Sequence, residues 1–415
     1  MTRAFRGLTL PLVAFVLVAL AGPATAQPAK SINLAMLAGF KEDVVRALLP
    51  SFEQQTKIKV NLDTAPYGEL YKKQLLSLAG GAARYDVLFI DEPWVPTLAE
   101  FLHPLDDLAK QVEPGDFVPT TLAAGSYKGK IYALPVDPNV QLLIYRKDLF
   151  DQRGFKPPAT WDETLALAKQ LHDPGKDVAG FVMTAGSDVQ TFAYLTLFLW
   201  SWGVELLDAN NRAAVNTPAG KAAAEFYVEL MKYCPPGVKG YTFADVTKTM
   251  QLGKAAMAVQ WASGARPLED KEKSMVAGKL GYAVVPRQAR QTPMRGVWTI
   301  GIARDSKSVD AAWEFARWLA GRDFGLQAVK HPATSSAIHN ARYSVLRSPT
   351  FTGTLAYADA ILKSLEIAKE RNRIPQFPDI QEQLRLVGAK ITTAEVSPAD
   401  GIKELEAAIN RIMAK

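Results

Sequence analysis

Gly129-Lys130-Ile131-Tyr132-Ala133-Leu134-Pro135 leads through Asp137 and Asn139 into Leu143-Ile144-Tyr145-Arg146-Lys147-Asp148-Leu149-Phe150, and Pro157-Pro158-Ala159-Thr160-Trp161-Asp162-Glu163 follows. Pro135 fixes its own φ and removes a backbone donor, which stiffens the chain there. Thr160 and Glu163 have the spacing of a capping box, in which a hydroxyl and a carboxylate each satisfy a free N–H at a helix start. Leu165, Ala168 and Leu171 then fall on one face, so the spacing predicts a helix.

Upstream, the chain reads strand, helix, strand, helix, strand. Ser31–Leu37 is a short apolar strand. Lys41–Gln54 carries Val44, Val45, Leu48, Leu49 and Phe52 on one helical face. Ile58–Leu62 alternates as a strand does, Glu69–Ala79 is a second amphipathic helix, and Asp86–Ile90 is an apolar run of the kind found in a buried parallel strand. Such alternation implies an α/β sheet with helices on both faces. Downstream, Thr217 with Pro218 suits an N-cap followed by proline at N1, ahead of Ala223, Phe226, Tyr227 and Leu230. Ala312, Phe315, Ala316 and Leu319 make another helical face. Trp161, Trp200, Trp202, Trp313 and Trp318 are expected to pack rather than to touch a ligand.

The chain of 415 residues has room for two or more domains of about 100–200 residues each. Hydrophobic residues at 48% and charged residues at 22% allow a sizeable core. No Gly/Ser linker marks a boundary, so domains would be joined by short crossings. Residues 1–26 read as a secretory signal: Arg3 and Arg6, an apolar run from Leu8 to Ala21, then Ala24-Thr25-Ala26 before Gln27. The run is shorter than the roughly 20 residues of a spanning helix and contains Pro11. No cysteine stands at the cleavage point, so no lipid anchor is expected. Loss of Arg3 and Arg6 lowers the formal charge from +6 to +4, a mild and scattered excess that does not point to nucleic acid. Cys234, the single cysteine, excludes an internal disulfide and is expected to be a small buried or loop residue.

Motifs for catalysis are missing. His103, His172, His331 and His339 have no metal-binding spacing, so no metal is expected. Trp261-Ala262-Ser263-Gly264 lacks the first glycine of a nucleophile elbow. The stretch from Gly125 to Lys130 is too short for a phosphate-binding loop, and no GxGxxG follows a strand, so no cofactor is expected. A glycosidase needs only two carboxylates, so an enzyme stays open.

The opening strings resemble the family 1 extracellular solute-binding proteins, the maltose-binding-protein-like group, whose pattern is roughly GK-x-Y-x-x-P, then Y-N-K-D-x-F, then PP-x-T-W-x-E. Arg146 stands where that family usually has Asn. Tyr85-Asp86-Val87-Leu88-Phe89-Ile90-Asp91 is similar to its first-lobe strand, and Gly253-Lys254-Ala255-Ala256-Met257 to its GKAAM string. Gly296-Val297-Trp298, Ala312-Trp313-Glu314-Phe315, Pro375–Pro378 and Pro398–Met413 extend the likeness to the end. The resemblance implies an α/β, two-lobed periplasmic-binding-protein fold, each lobe a mixed sheet flanked by helices, with a ligand cleft between. It places one lobe at 27–138 and 297–343 and the other at 139–296 and 344–415. It also implies periplasmic capture of a small carbohydrate or polyol, delivery to the permease subunits of an ABC importer by lobe closure, and a monomer.

Ligands of open α/β sheets sit beyond the carboxyl ends of strands. That rule selects Gly39, Phe40, Tyr67, Asp91, Glu92, Asp137, Asn139, Trp261 and Trp298, and Asp188 in Gly186-Ser187-Asp188 is a further candidate. Carboxylates and amides pair with sugar hydroxyls, and aromatic rings cover C–H faces. Asp91 is expected to accept from ligand hydroxyls, and Trp261 and Trp298 to meet across the cleft. An anion would want an arginine, for which Arg266, Arg295 and Arg342 are candidates. A periplasmic saccharide hydrolase or lyase, the same fold binding an anionic sugar derivative, and an adaptor for a chemoreceptor stay open beside transport.

Overall fold

The computed structural model describes residues 1–2, 30–81, 84–331 and 338–414. Apart from Met1 and Thr2, the expected leader and its cleavage point lie outside these residues. Nine strands are described: β1 (Ser31–Leu37), β2 (Lys59–Ala65), β3 (Val87–Asp91), β4 (Ser126–Tyr127), β5 (Lys130–Ile131), β6 (Ala133–Arg146), β7 (Met257–Trp261), β8 (Leu280–Ala283) and β9 (Arg295–Ile302). Seven of them form one sheet in the order β2-β1-β3-β9-β6-β7, with β8 also on β6, while β4 and β5 pair separately. β1 runs parallel to β2 and β3, whereas β9 is antiparallel to both β3 and β6.

The opening stretch of the sequence is the spine of this sheet. β6 pairs with β9 from Ala133 to Val140 and then with β7 and β8 from Gln141 to Arg146. Its register shifts between Pro135 and Asp137, leaving Val136 as a bulge. Pro135 and Pro138 lie in the half of β6 that has β9 as its neighbour, where a missing donor is tolerated.

Three apolar cores flank the spine. One joins β1, β2 and β3 with helices α1 (Phe40–Thr56) and α2 (Tyr67–Ala79) and the helix Val309–Leu319, and reaches β6 at Leu134 and Val136. Beyond Asn139 the two faces of β6 enter different cores, as strand alternation dictates. Leu143 and Tyr145 meet the helices Trp161–Leu171, Thr191–Ser201, Pro218–Met231, Phe377–Thr393 and Pro398–Met413. Val140, Leu142 and Ile144 meet residues from Val345 to Leu365. A strand covered on both faces is mostly apolar, and the stretch Ala133–Tyr145 is buried throughout, its polar exceptions being Asp137, Asn139 and Gln141.

Local signals set the element ends. On α1 the expected face, Val44, Val45, Leu48, Leu49 and Phe52, is buried. Thr217 caps its helix by accepting from Gly220 N–H at 3.0 Å. Thr160 accepts from Glu163 N–H at 3.1 Å, but Glu163 accepts from Ala159 N–H at 2.7 Å rather than from Thr160, so the box is displaced by one residue. Trp161 and Trp200 are buried, Trp161 edge-on to Phe198 and Phe226. Cys234 is buried, and burial raises its thiol pKa, which makes it an inert packing residue.

Candidate functional site

β1, β3 and β7 end at one cavity of about 460 Å³, lined by residues of the first core and of the second. Four helices begin at its wall: α1 at Phe40, α2 at Tyr67, Thr191–Ser201 just after Gln190, and Phe243–Gln251 after its cap Thr242. The turn from β1 into α1 passes through Gly39 at φ 98°, a conformation that side chains other than glycine's rarely adopt. Gly296 on β9 permits a different contact. A Cβ there would come within 2.8 Å of the Trp261 ring, so the missing side chain lets the indole lie against β9.

The apolar wall is largely aromatic. Trp298 stacks on Phe89 at 4.9 Å and 15°, and meets Tyr67 and Trp94 edge-on. Phe40 and Phe243 approach each other from facing helices at 6.3 Å between centroids. They, rather than Trp261 and Trp298, are the ring pair that meets across the cavity. The Trp261 indole N–H donates to Gln190 Oε1 at 2.7 Å.

The polar wall is mostly engaged with itself. Arg371 donates to both oxygens of Asp91, at 2.7 and 2.5 Å, and its Nε lies 3.6 Å from Glu92 Oε1. Burial alone would lower the pKa of this guanidinium; Asp91 and Glu92 outweigh that and hold it above its usual value. Tyr67 also donates to Asp91, at 2.6 Å, and bonds Gln381 on the other side. Asn139 and Ser263 bond reciprocally, at 3.2 and 3.1 Å. Lys41 donates to Asp137, whose second oxygen faces His339 at 3.3 Å. Burial would raise the Asp137 pKa, but Lys41 and His339 bring it down to about 2. Asp188 is half-buried at the rim; burial raises its pKa, the Gln190 N–H partly offsets this, and Asp245 adds to the rise.

Of the residues selected from the sequence, Gly39, Phe40, Tyr67, Asp91, Asn139, Asp188, Trp261 and Trp298 line the cavity. Two do not. Glu92 is fully buried behind Asp91, accepting from Val297 N–H and facing Arg295. Asp137 is covered by Lys41. The arginines considered for an anion are spent elsewhere: Arg266 on Val329 O, Arg342 on Asp116 and two carbonyls, Arg295 on Glu92 and Glu370. Sequence reasoning missed Arg371, Gln190, Ser263 and Phe243. Helix-start spacing at Thr242 to Asp245 could have signalled Phe243.

Residues 33–324 match the family described as bacterial extracellular solute-binding protein. The chain belongs to that family. Among curated relatives, this solute-binding protein is 26% identical over 381 residues to a probable amino-acid ABC transporter periplasmic-binding protein of Sinorhizobium fredii, covering 87% of this chain and 85% of that one. It is 26% identical over 272 residues to the mannitol-binding protein of Pseudomonas aeruginosa, covering 64% and 62%. Among solved structures, it resembles an ABC transporter solute-binding protein of Agrobacterium radiobacter in complex with ribitol, with TM-score 0.86, 26% identity and 93% and 100% of the two chains covered. Maltose-bound MalE3 of T. maritima gives TM-score 0.85, 26% identity and coverage of 92% and 100%. The fold is therefore the two-lobed α/β form, and the cavity is the cleft between the lobes. No helix among the described residues is long and apolar enough to cross a membrane.

Proposed function

We propose that this solute-binding protein captures a small neutral polyhydroxy solute, a polyol or a short saccharide, and hands it unchanged to the permease subunits of an ABC importer. One observation carries the reading: the cleft is walled by aromatic rings, and its cations, Lys41 and Arg371, are already paired with buried carboxylates. A hydroxyl-bearing ligand replaces water there with no free cation to neutralise. Rings cover its C–H faces, and the remaining donors and acceptors meet its hydroxyls. Its volume corresponds to about 15 waters at roughly 30 Å³ each, room for a monosaccharide or an open-chain polyol.

The convergence of helix starts favours a second reading, an anionic sugar derivative, because each N-terminus carries about half a positive charge. Acidic residues offset it: Glu42 and Asp43 in the first turn of α1, Glu69 in α2, and Asp245 in Phe243–Gln251. Asp188 stands before the fourth helix. The same accounting disfavours an amino acid, whose carboxylate would have to displace Asp91 from Arg371.

The mature protein is taken to begin at Gln27, to be monomeric in the periplasm, and to close about crossings near 138–139, 296–297 and 343–344. The break in the cores between Val136 and Val140 supports the first of these positions. Calorimetry of the purified protein with ribitol, D-mannitol, D-tagatose and maltose, set against D-gluconate and an amino-acid mixture, tests the reading. Binding confined to the charged solutes rejects it.

A further inference from the structure

Most polar groups in the cleft have their hydrogen-bonding capacity spent on one another, and Asp188 and Gln190 stand apart. Asp188 Oδ1 accepts from Gln190 N–H at 2.7 Å, and among the described residues no cation lies within ion-pair distance of its carboxylate. Gln190 accepts the Trp261 indole N–H on Oε1, which fixes the orientation of its amide and leaves both amide hydrogens for a partner. Both residues line the cavity. The pair therefore offers an unpaired charged acceptor two residues from a free donor.

The loop that carries them is fixed from behind. Gly186 N–H donates to Thr392 Oγ1 at 2.9 Å, and Arg385 donates to Ser187 O at 2.9 Å. Both partners sit on the helix Phe377–Thr393. Gly186 has φ 72°, and a Cβ there would lie 2.0 Å from Lys239 O, so no other residue lets the loop pass so close. Thr191 N–H returns to Asp188 O at 3.1 Å as the next helix starts. A binding group supported in this way needs no ordering when ligand arrives. Burial, with a smaller push from Asp245, holds the Asp188 carboxyl above its usual pKa, although the Gln190 and Val189 N–H groups and the charge of Arg385 pull the other way.

We propose that Asp188 and Gln190 are the specificity-determining pair of the cleft, reading two adjacent hydroxyls of the solute. Asp188 accepts from one hydroxyl, and the Gln190 amide donates to its neighbour. Asp91, whose oxygens hold Arg371 and Tyr67, has a smaller share. The inference rests on the reading of the ligand as a neutral polyhydroxy compound. It adds that the polar selectivity resides in the loop 186–190, with the aromatic rings supplying area.

The test uses the full mature protein and four probes, ribitol, D-mannitol, D-tagatose and maltose. Asp188→Asn keeps an oxygen for the Gln190 N–H, and Gln190→Glu keeps one for the Trp261 indole, so each variant removes the ligand-facing function and retains the local bond. A charged hydrogen bond lost from a desolvated site lowers affinity about tenfold or more. Asp188→Asn should therefore weaken the tightest probe at least tenfold, and Gln190→Glu, which loses a neutral donor, about threefold or more, with the unliganded melting temperature and tryptophan emission unchanged. A probe lacking the hydroxyl that Asp188 reads should bind wild type and Asp188→Asn equally. Should either variant bind that tightest probe as wild type does, the assignment fails while the carbohydrate reading stands. If wild type binds none of the four, both fall.

Discussion

Replacing Arg371 by methionine should destabilise this protein severely, although Arg371 sits at a binding cleft. Arg371 and Asp91 are both about 2% exposed, and two N–H···O bonds of 2.7 and 2.5 Å join them. Methionine keeps most of the side-chain length and removes the charge. Asp91 is then left buried with the Tyr67 hydroxyl in place of a guanidinium, while Glu92 keeps Arg295 at 3.4 Å. Breaking a buried pair from one side costs about 3–5 kcal/mol, because the orphaned carboxylate stays desolvated. An exposed pair such as Arg46–Glu42, by contrast, is worth about 0.3–0.5 kcal/mol. Removing both charges in Asp91→Asn/Arg371→Met should cost less than the sum of the single changes, with a coupling of about 2–3 kcal/mol. Urea denaturation of wild type, both single variants and the double variant, without ligand, measures the cycle. Single variants within about 0.5 kcal/mol of wild type, or strictly additive effects, would refute the reasoning and return Asp91 to the role of a free ligand acceptor.

Two further outcomes follow from the same geometry. Asp137 should act on stability with a defined pH dependence. Its carboxyl titrates at about 2 in the fold against 3.8 ordinarily, so its contribution is complete above about pH 4 and lost as pH falls through 2. That amounts to about 2 kcal/mol by linkage, and acid titration of stability should lose this component in Asp137→Asn. Phe40→Ala and Phe243→Ala should each speed ligand release, since an aromatic contact across the mouth is worth about 0.5–1.5 kcal/mol. Stopped-flow dissociation should quicken several-fold, with on-rates little changed; unchanged release would show that the ring pair does not hold the lobes together.

The fold was legible because its elements carry local signals. The buried face of α1, the caps at Thr160 and Thr217 and the apolar run of β3 each follow from spacing alone. The strand-end rule reached the cavity because β1, β3 and β7 do end there. It could not tell Asp91 from Glu92, since the 3-10 turn Glu92–Trp94 sends adjacent side chains to opposite sides of the wall. Asp137 shares a face of β6 with Asn139, so alternation gave its direction, but it gave no sign that Lys41 would cover it. Arg371 had no signal at all. It lies in an irregular stretch between two helices and finds Asp91, 280 positions away, through the tertiary fold alone.

The central claim is that the cleft holds a neutral polyhydroxy solute and does no chemistry on it. Isothermal titration of the protein with ribitol, D-mannitol, D-tagatose, maltose and D-gluconate, followed by recovery of the bound solute, tests both halves together. Saturable one-to-one binding of at least one neutral compound is predicted, with that compound recovered unaltered and gluconate giving no heat. A neutral ligand at 100 times its Kd should also add about 2.7 kcal/mol of stability in the same samples. Tight binding of gluconate with no response to the neutral compounds, or recovery of a cleaved or rearranged sugar, would contradict the account.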